Sequence, residues 1–200
     1  MQRTWYEWLT ARLAAMNDGK GYRLFGGLIK WGGQRMIRRE LDEEEVDYLE
    51  RFYILSTPFL GIYIHRFWCD DDDGLHDHPW HSLGVVLEGA YNEEMPERQG
   101  VPYGPTITKL RQPWSLMRPW RIFGRSKYSA HRVTVPNWVA SPPWTLFIRF
   151  GFKRRPWGFY RDRGWEAAEV QSREEELAIT KWETQEHQQP RKTRGHQTSC

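Results

Sequence analysis

Cysteine is nearly missing from this 200-residue chain: only Cys69 and Cys200 occur. Neither a disulfide framework nor a multi-cysteine zinc site can be assembled from two. Long apolar runs are missing as well. No uninterrupted stretch approaches the roughly 18 residues that a membrane-crossing helix needs, so no span and no membrane partner are expected. The opening MQRTWYEWLT lacks the basic and apolar regions of a secretory signal, and cytoplasmic residence is the default expectation. Acidic residues all but vanish from one segment. Between residues 101 and 165, 13 Lys and Arg face a single Asp, whereas 51–100 carries 3 basic residues against 9 acidic ones. The overall charge of +3 hides this division. Either the basic segment lines a surface or pocket that meets an anion, or it pairs with the acidic segment within one sheet.

What is abundant is aromatic: 12 Trp, 9 Tyr and 9 Phe. An indole N–H needs a partner when buried, so a Trp-rich core is polar at its edges and suits a barrel better than an aliphatic helix bundle. Residues 4–16 place Trp5, Trp8, Leu9, Leu13 and Met16 at helical spacing, with Thr4 as N-cap before Glu7 and Asn17-Asp18-Gly19 as the stop. Glycine pairs at 26–27 and 32–33 then favour short strands or loops up to Arg39, and Glu43, Glu44 and Glu45 read as a helical turn. From there strands dominate. RFYILS (51–56) and GIYIHRFW (61–68) flank a Thr-Pro turn and predict a hairpin, and LGVVLEGAYNE (83–93) predicts two strands meeting at a glycine turn. Short strands follow at 106–110, 114–117, 131–135 and 144–150, with Gly and Pro between them, which indicates an all-β sandwich or barrel. Three regions result: a helix and extension over 1–49, a barrel over 50–165, and a tail over 166–200 that is helical to about 182 and disordered beyond.

The sharpest local signal is Leu75-His76-Asp77-His78-Pro79-Trp80-His81-Ser82. Histidines at i and i+2 project from one face of a strand, so His76 and His78 can reach a common ion. SLGVVLEG (82–89) follows, a strand closed by a glycine. This arrangement resembles the first motif of the cupin superfamily, in which HxH is followed by a Glu and then a Gly; here Ser82 stands at the Glu position and Gly89 at the Gly. It is especially similar to small cupin-like proteins of bacteria and phages. The second cupin motif contributes a later histidine, matched here by His131 in SAHRVTV, with Ser126 and Tyr128 where Pro and Gly are usual. The resemblance covers about residues 50–160. It implies an all-β double-stranded β-helix, a jelly-roll barrel, and a metal held by His76, His78 and His131.

With Ser82 replacing the carboxylate, the implied site is three neutral imidazoles around a divalent ion that keeps its full charge. Such ligands suit iron, zinc, copper, manganese or nickel, and ligand type alone does not choose. Three-histidine members of the superfamily make iron and dioxygenase chemistry the favoured implication. Glu93 is a candidate fourth ligand or general base. Tyr91 shares its strand face, and His65 is a candidate second donor or alternative ligand. Asp77 or Asp73 is the expected acceptor for a ligand's other ring nitrogen. Arg132 and Arg149 are candidates for gripping a substrate anion. Each is equally readable as an ordinary strand residue. The Asp70–Asp73 run reads as a solvated turn, because it lacks calcium-loop spacing.

Three functions compete at this level. One is a metal-dependent enzyme acting on a small anion. The second is a module that binds a nucleotide, sugar or signal molecule without turning it over. The third is a single-strand nucleic-acid binder, using the aromatic and basic stretches 111–125 and 149–165. A homodimer is implied by the resemblance alone. A 2-oxoglutarate dioxygenase would require an acid at position 78 and is disfavoured.

Overall fold

The computed structural model describes residues 3–41, 44–71, 74–98, 104–117, 130–151, 158–161 and 164–167. One helix, α1 (Trp5–Ala15), precedes β1 (Tyr22–Leu24), β2 (Ile29–Trp31), β3 (Gln34–Leu41), β4 (Glu44–Ser56), β5 (Leu60–Phe67), β6 (Leu75–Asp77) and β7 (His81–Glu88). The remaining strands are β8 (Tyr91–Pro96), β9 (Thr106–Arg111), β10 (Leu116–Met117), β11 (Arg132–Thr134), β12 (Trp144–Phe150), β13 (Gly158–Arg161) and β14 (Gly164–Ala167). The large sheet runs β1-β2-β4-β5-β12-β7-β10, with β3 also on β4. Two three-stranded sheets, β11-β8-β9 and β14-β13-β6, meet through a bridge between His76 and His131 and together form the opposing layer. From β5 onward the chain passes between layers: β5, β7, β10 and β12 lie in one, and β6, β8, β11 and β13 in the other. That alternation is the jelly roll that the sequence resemblance implied.

The helix forms where expected. Thr4 and Glu7 make a reciprocal capping box, each side chain bonding the other's backbone N–H, which satisfies two donors that a helix start otherwise leaves orphaned. Its buried face differs from the prediction, because Trp5 and Trp8 are exposed and the stripe Tyr6, Thr10, Leu13 is buried. Tyr6 and Leu13 lie against Phe52, Ile64 and Trp144 on the outer face of the large sheet. Tyr6 wins over the larger tryptophans because its hydroxyl finds Glu88 there, a partner that a buried phenol requires.

Alternation along each strand separates this outer cluster from the barrel interior. Arg51, His65 and Thr145 fall on the inner face, and so do Val86, Phe147 and Arg149. A second core of Leu49, Phe67, Val86, Tyr91 and Val133 draws on both layers, so the layers pack face to face.

Three local expectations are corrected. Glu44 and Glu45 do not open a helical turn; they begin β4, paired with β3, because a thirteen-residue strand with a buried partner outweighs local helix propensity. The two strands expected across 83–93 are present as β7 and β8 on either side of Gly89, but they do not pair with each other: β7 pairs with β12 and β10 while β8 pairs with β11 and β9. Gly89 is instead the corner at which the chain changes layers. Asp70 and Asp71 of the acidic run are not solvated: Asp71 is buried, accepts from Val133 N at 2.6 Å and bonds Tyr48, and Asp70 accepts from Val135 N at 2.5 Å; Asp72 and Asp73 lie outside the described residues. The 51–56/61–68 hairpin is present as β4 and β5. Beyond Ala167 the expected tail lies outside the described residues.

Gly89 has φ +74°, and a Cβ built there would lie 2.9 Å from the Pro143 backbone. Both the left-handed backbone and the clash with main chain argue against any side chain. Gly89→Ala is therefore expected to lower stability by about 2–3 kcal/mol, read as the shift in a urea unfolding midpoint.

Candidate metal centre

His76 and His78 lie on the inner face of β6 and just beyond its end, and the intervening Asp77 turns away to accept from Tyr160 Oη at 2.8 Å. His131 reaches the same place from the other half of the layer. Its backbone N–H and C=O are bonded reciprocally to those of His76, both at 2.8 Å, which brings the two rings together. Ring centroids are 4.8 Å apart for His76–His131, 5.2 Å for His76–His78 and 5.1 Å for His78–His131. One nitrogen from each ring lies within 4.8 Å of the other two. Among the described residues this is the group able to hold a metal ion.

Carboxylates stand behind the rings. Glu93 Oε1 is 2.9 Å from His131 Nδ1 and Asp71 Oδ2 is 3.7 Å from His76 Nδ1. Burial alone would raise Glu93, but the hydrogen bond and charge of His131, with Arg111 behind, hold its carboxyl below the usual range. Burial likewise opposes charge on His131, yet Glu93 and Asp71 outweigh it and raise this imidazole. His76 is held well below the ordinary imidazole value by burial and then by His131. With an ionised Glu93 at Nδ1, the proton of neutral His131 belongs on Nδ1. Its Nε2 lone pair then faces His78 Nε2 at 3.0 Å. Two lone pairs at that separation repel unless a proton or a cation is shared between them. The donor set therefore fits a divalent ion bound by imidazoles and backed by outer carboxylates.

The structure places the other expected residues as follows. Glu93 is neither beside the open side of the cluster nor free to act as base there, because it is gripped by His131 and by Arg111 Nε at 2.7 Å. Tyr91 shares its face, as expected, but is fully buried in the core against Phe67, at 5.8 Å between rings. His65 does not belong to the three-histidine group. Its Nε2 accepts from Arg51 Nε at 3.0 Å, and its ring stacks 5.2 Å from Phe147. Burial, then the charges of Arg51 and His78, keeps it neutral. Arg132 faces away from the site, opposite in sense to the inward Val133, and pairs with Glu94 at 2.6 Å. Of the acceptors expected for the ligands' other ring nitrogens, Asp77 bonds Tyr160 and Asp73 lies outside the described residues, while Glu93 bonds His131 and Asp71 lies 3.7 Å from His76.

Arg149 does point inward. Its Nε donates to Tyr63 Oη at 2.9 Å and its Nη2 to the Thr57 carbonyl at 2.8 Å and Ser56 Oγ at 3.3 Å. The Trp80 ring lies 4.9 Å from its guanidinium carbon. All these partners are neutral, and Nη1 is buried with no partner among the described residues. Phe147, one inward position along β12, touches the His78 ring at 5.4 Å, so the guanidinium and the His78 ring lie over the same face of β12. Elsewhere the basic segment pairs with the acidic one, through Arg111–Glu93 and Arg132–Glu94. Half of the stretches 111–125 and 149–165 that motivated a nucleic-acid reading lies outside the described residues. No described helix is long and apolar enough to cross a membrane.

No family model matches this sequence, and no curated protein does. Among solved structures the chain is similar to hydroxypropylphosphonic acid epoxidase from S. wedmorenis, at 18% identity and TM-score 0.40, over 56% of this chain and 55% of that one. It is also similar to an RmlC-like cupin from Shewanella frigidimarina, at 11% identity and TM-score 0.35, over 58% of this chain and 84% of that one. A cupin-2 domain protein from Rhodospirillum rubrum matches at 11% identity and TM-score 0.43, over 72% of this chain and 84% of that one. The chain thus spans little more than half the length of the epoxidase.

Proposed function

We propose that this jelly roll is a metal-dependent cupin-type enzyme that acts on a small anionic molecule, with His76, His78 and His131 as the ligands. The observation that carries the reading is the convergence of three imidazoles from two segments distant in sequence, two of them with a carboxylate behind the ring. Iron is the favoured ion, with zinc, manganese or nickel as alternatives. A bound ion would polarise a coordinated oxygen and, as iron, give access to dioxygen chemistry. The chain's own part is threefold. Glu93 holds a proton at His131 Nδ1 and so keeps Nε2 a donor to the ion. Phe147 and Val86 keep the cavity wall apolar, which strengthens every charge interaction inside. Arg149 presents a guanidinium with no acidic partner among the described residues, able to anchor a carboxylate or phosphate-like group.

Elemental analysis of the purified protein tests the first claim: about one transition-metal ion per chain is expected, and a metal-free protein that fails to take up iron or zinc rejects it. Arg149 has its own test. Among small carboxylates, phosphates and phosphonates, one class should raise the melting temperature of the metal-loaded protein. Arg149→Ala should weaken that ligand by about 10–100-fold, the worth of a charged hydrogen bond. An unchanged affinity removes Arg149 from the binding role.

One observation favours a second reading, a ligand-binding module without turnover. Each expected acid–base group is engaged elsewhere: Glu93 by Arg111, His65 by Arg51, and Tyr91 within the core. Stabilisation by a nucleotide or sugar, with no product by mass spectrometry in the iron-loaded protein, decides for binding.

A further inference from the structure

The β1–β2 hairpin carries an apolar tip that no described residue covers. Leu24, Phe25 and Leu28 are 51%, 75% and 60% exposed. Gly26 and Gly27 turn the chain at φ +66° and +91°, and a Cβ at either would meet no atom within 4 Å. Phe25 itself is held at φ +52°, a conformation a phenylalanine rarely adopts. At the hairpin base, Tyr22 and Trp31 are opposite each other with rings 5.9 Å apart, both half exposed. Lys30 pairs with Ser56, so the tip lies at the same end of the sheet as the β4–β5 turn, where Phe59 is also exposed.

Charge selects the partner. Residues 19–39 contain Lys20, Arg23, Lys30, Arg35, Arg38 and Arg39 and no Asp or Glu. Arg38 is neutralised by Asp47 and Glu45, whereas Arg23, opposite Lys30 in the hairpin, is exposed beside the tip. A symmetric contact between two copies would set these cations against their own images. A nucleic-acid strand would use the aromatic faces but has no place for the aliphatic Leu24 and Leu28. An anionic bilayer accommodates both features. Its acyl boundary takes a small apolar wedge, amphipathic Trp and Tyr sit at headgroup level, and acidic headgroups attract the flanking Lys and Arg. We infer that this hairpin is a peripheral docking device for an anionic lipid surface, independent of the metal centre.

Vesicle co-sedimentation of the full chain tests this. Phosphatidylcholine vesicles containing about 30 mol% phosphatidylglycerol should bind the protein, and pure phosphatidylcholine vesicles should bind it far less. The Phe25→Ser/Leu28→Ser double variant should lose at least about tenfold in partition coefficient. Arg23→Glu should weaken binding to the anionic vesicles while leaving the neutral background unchanged. The substituted side chains are exposed, so melting temperature and metal content should stay at wild-type values and separate this outcome from failure of the metal-centre reading. No binding to anionic vesicles at physiological ionic strength overturns the inference, as does binding that the double variant retains. A wild-type dimer dissolved by the double variant, without vesicle binding, would reassign the tip to self-association.

Discussion

His78→Ala protein is expected to purify without its transition metal, with affinity for iron or zinc reduced by well over 100-fold. The reasoning is one of ligand number. An ion held by three imidazoles loses a third of its protein donors and the facial arrangement that closes on it, whereas loss of an outer partner alone typically weakens a site by 10–100-fold. His78 is the informative position because it is only half buried, so its truncation leaves little cavity. His76→Ala and His131→Ala should match it in metal content. Their backbone bridge does not depend on the side chains, so strand pairing survives both substitutions. Competition against a chromophoric chelator measures the affinity. Stoichiometric metal in any of the three variants would mean that the ion sits elsewhere.

The second large effect belongs to Glu93→Gln. The amide carbonyl of glutamine still accepts from His131 Nδ1, but the negative charge shared by His131 and Arg111 is gone. Arg111 is four-fifths buried, and removing one partner from a largely buried ion pair costs about 3–5 kcal/mol, most of it from the charge left without compensation. Metal affinity should fall by about 10–100-fold at the same time. Denaturant unfolding of the metal-free protein and chelator competition separate the two losses. The double variant Glu93→Gln/Arg111→Met should recover much of the stability and none of the affinity. If affinity returned with stability, Glu93 would act on the site only by holding the fold.

Local chemistry made part of this legible from sequence. The i, i+2 spacing in His76-Asp77-His78 already determines that two rings share a strand face, and Thr4 with Glu7 already determines a helix start. His131 could be proposed from a motif but not placed, because its partner across the layer is 55 residues away. The carboxylates behind the rings were harder. Asp71 sits in an acidic run that looks like solvated chain, and only the amide of Val133 and the hydroxyl of Tyr48 make it a buried acceptor. Glu93 was singled out for its position, but its role depends on Arg111, which arrives from β9. Arg132 and Arg149 look alike in sequence. What separates them is strand phase, since Val133 turns inward and takes Arg132 outward, whereas Phe147 and Arg149 turn inward together.

The two halves of the inner layer touch at the His76–His131 pair, reinforced by Asp70 and Asp71 reaching the amides of β11. Within each of these two halves, by contrast, neighbouring strands are paired along three or more consecutive residues. The imidazoles therefore sit on a seam, and any fluctuation that parts the seam also spreads the donor nitrogens. Site assembly and wall closure are one mechanical coordinate, so stiffness at this junction sets how sharply the pocket is defined.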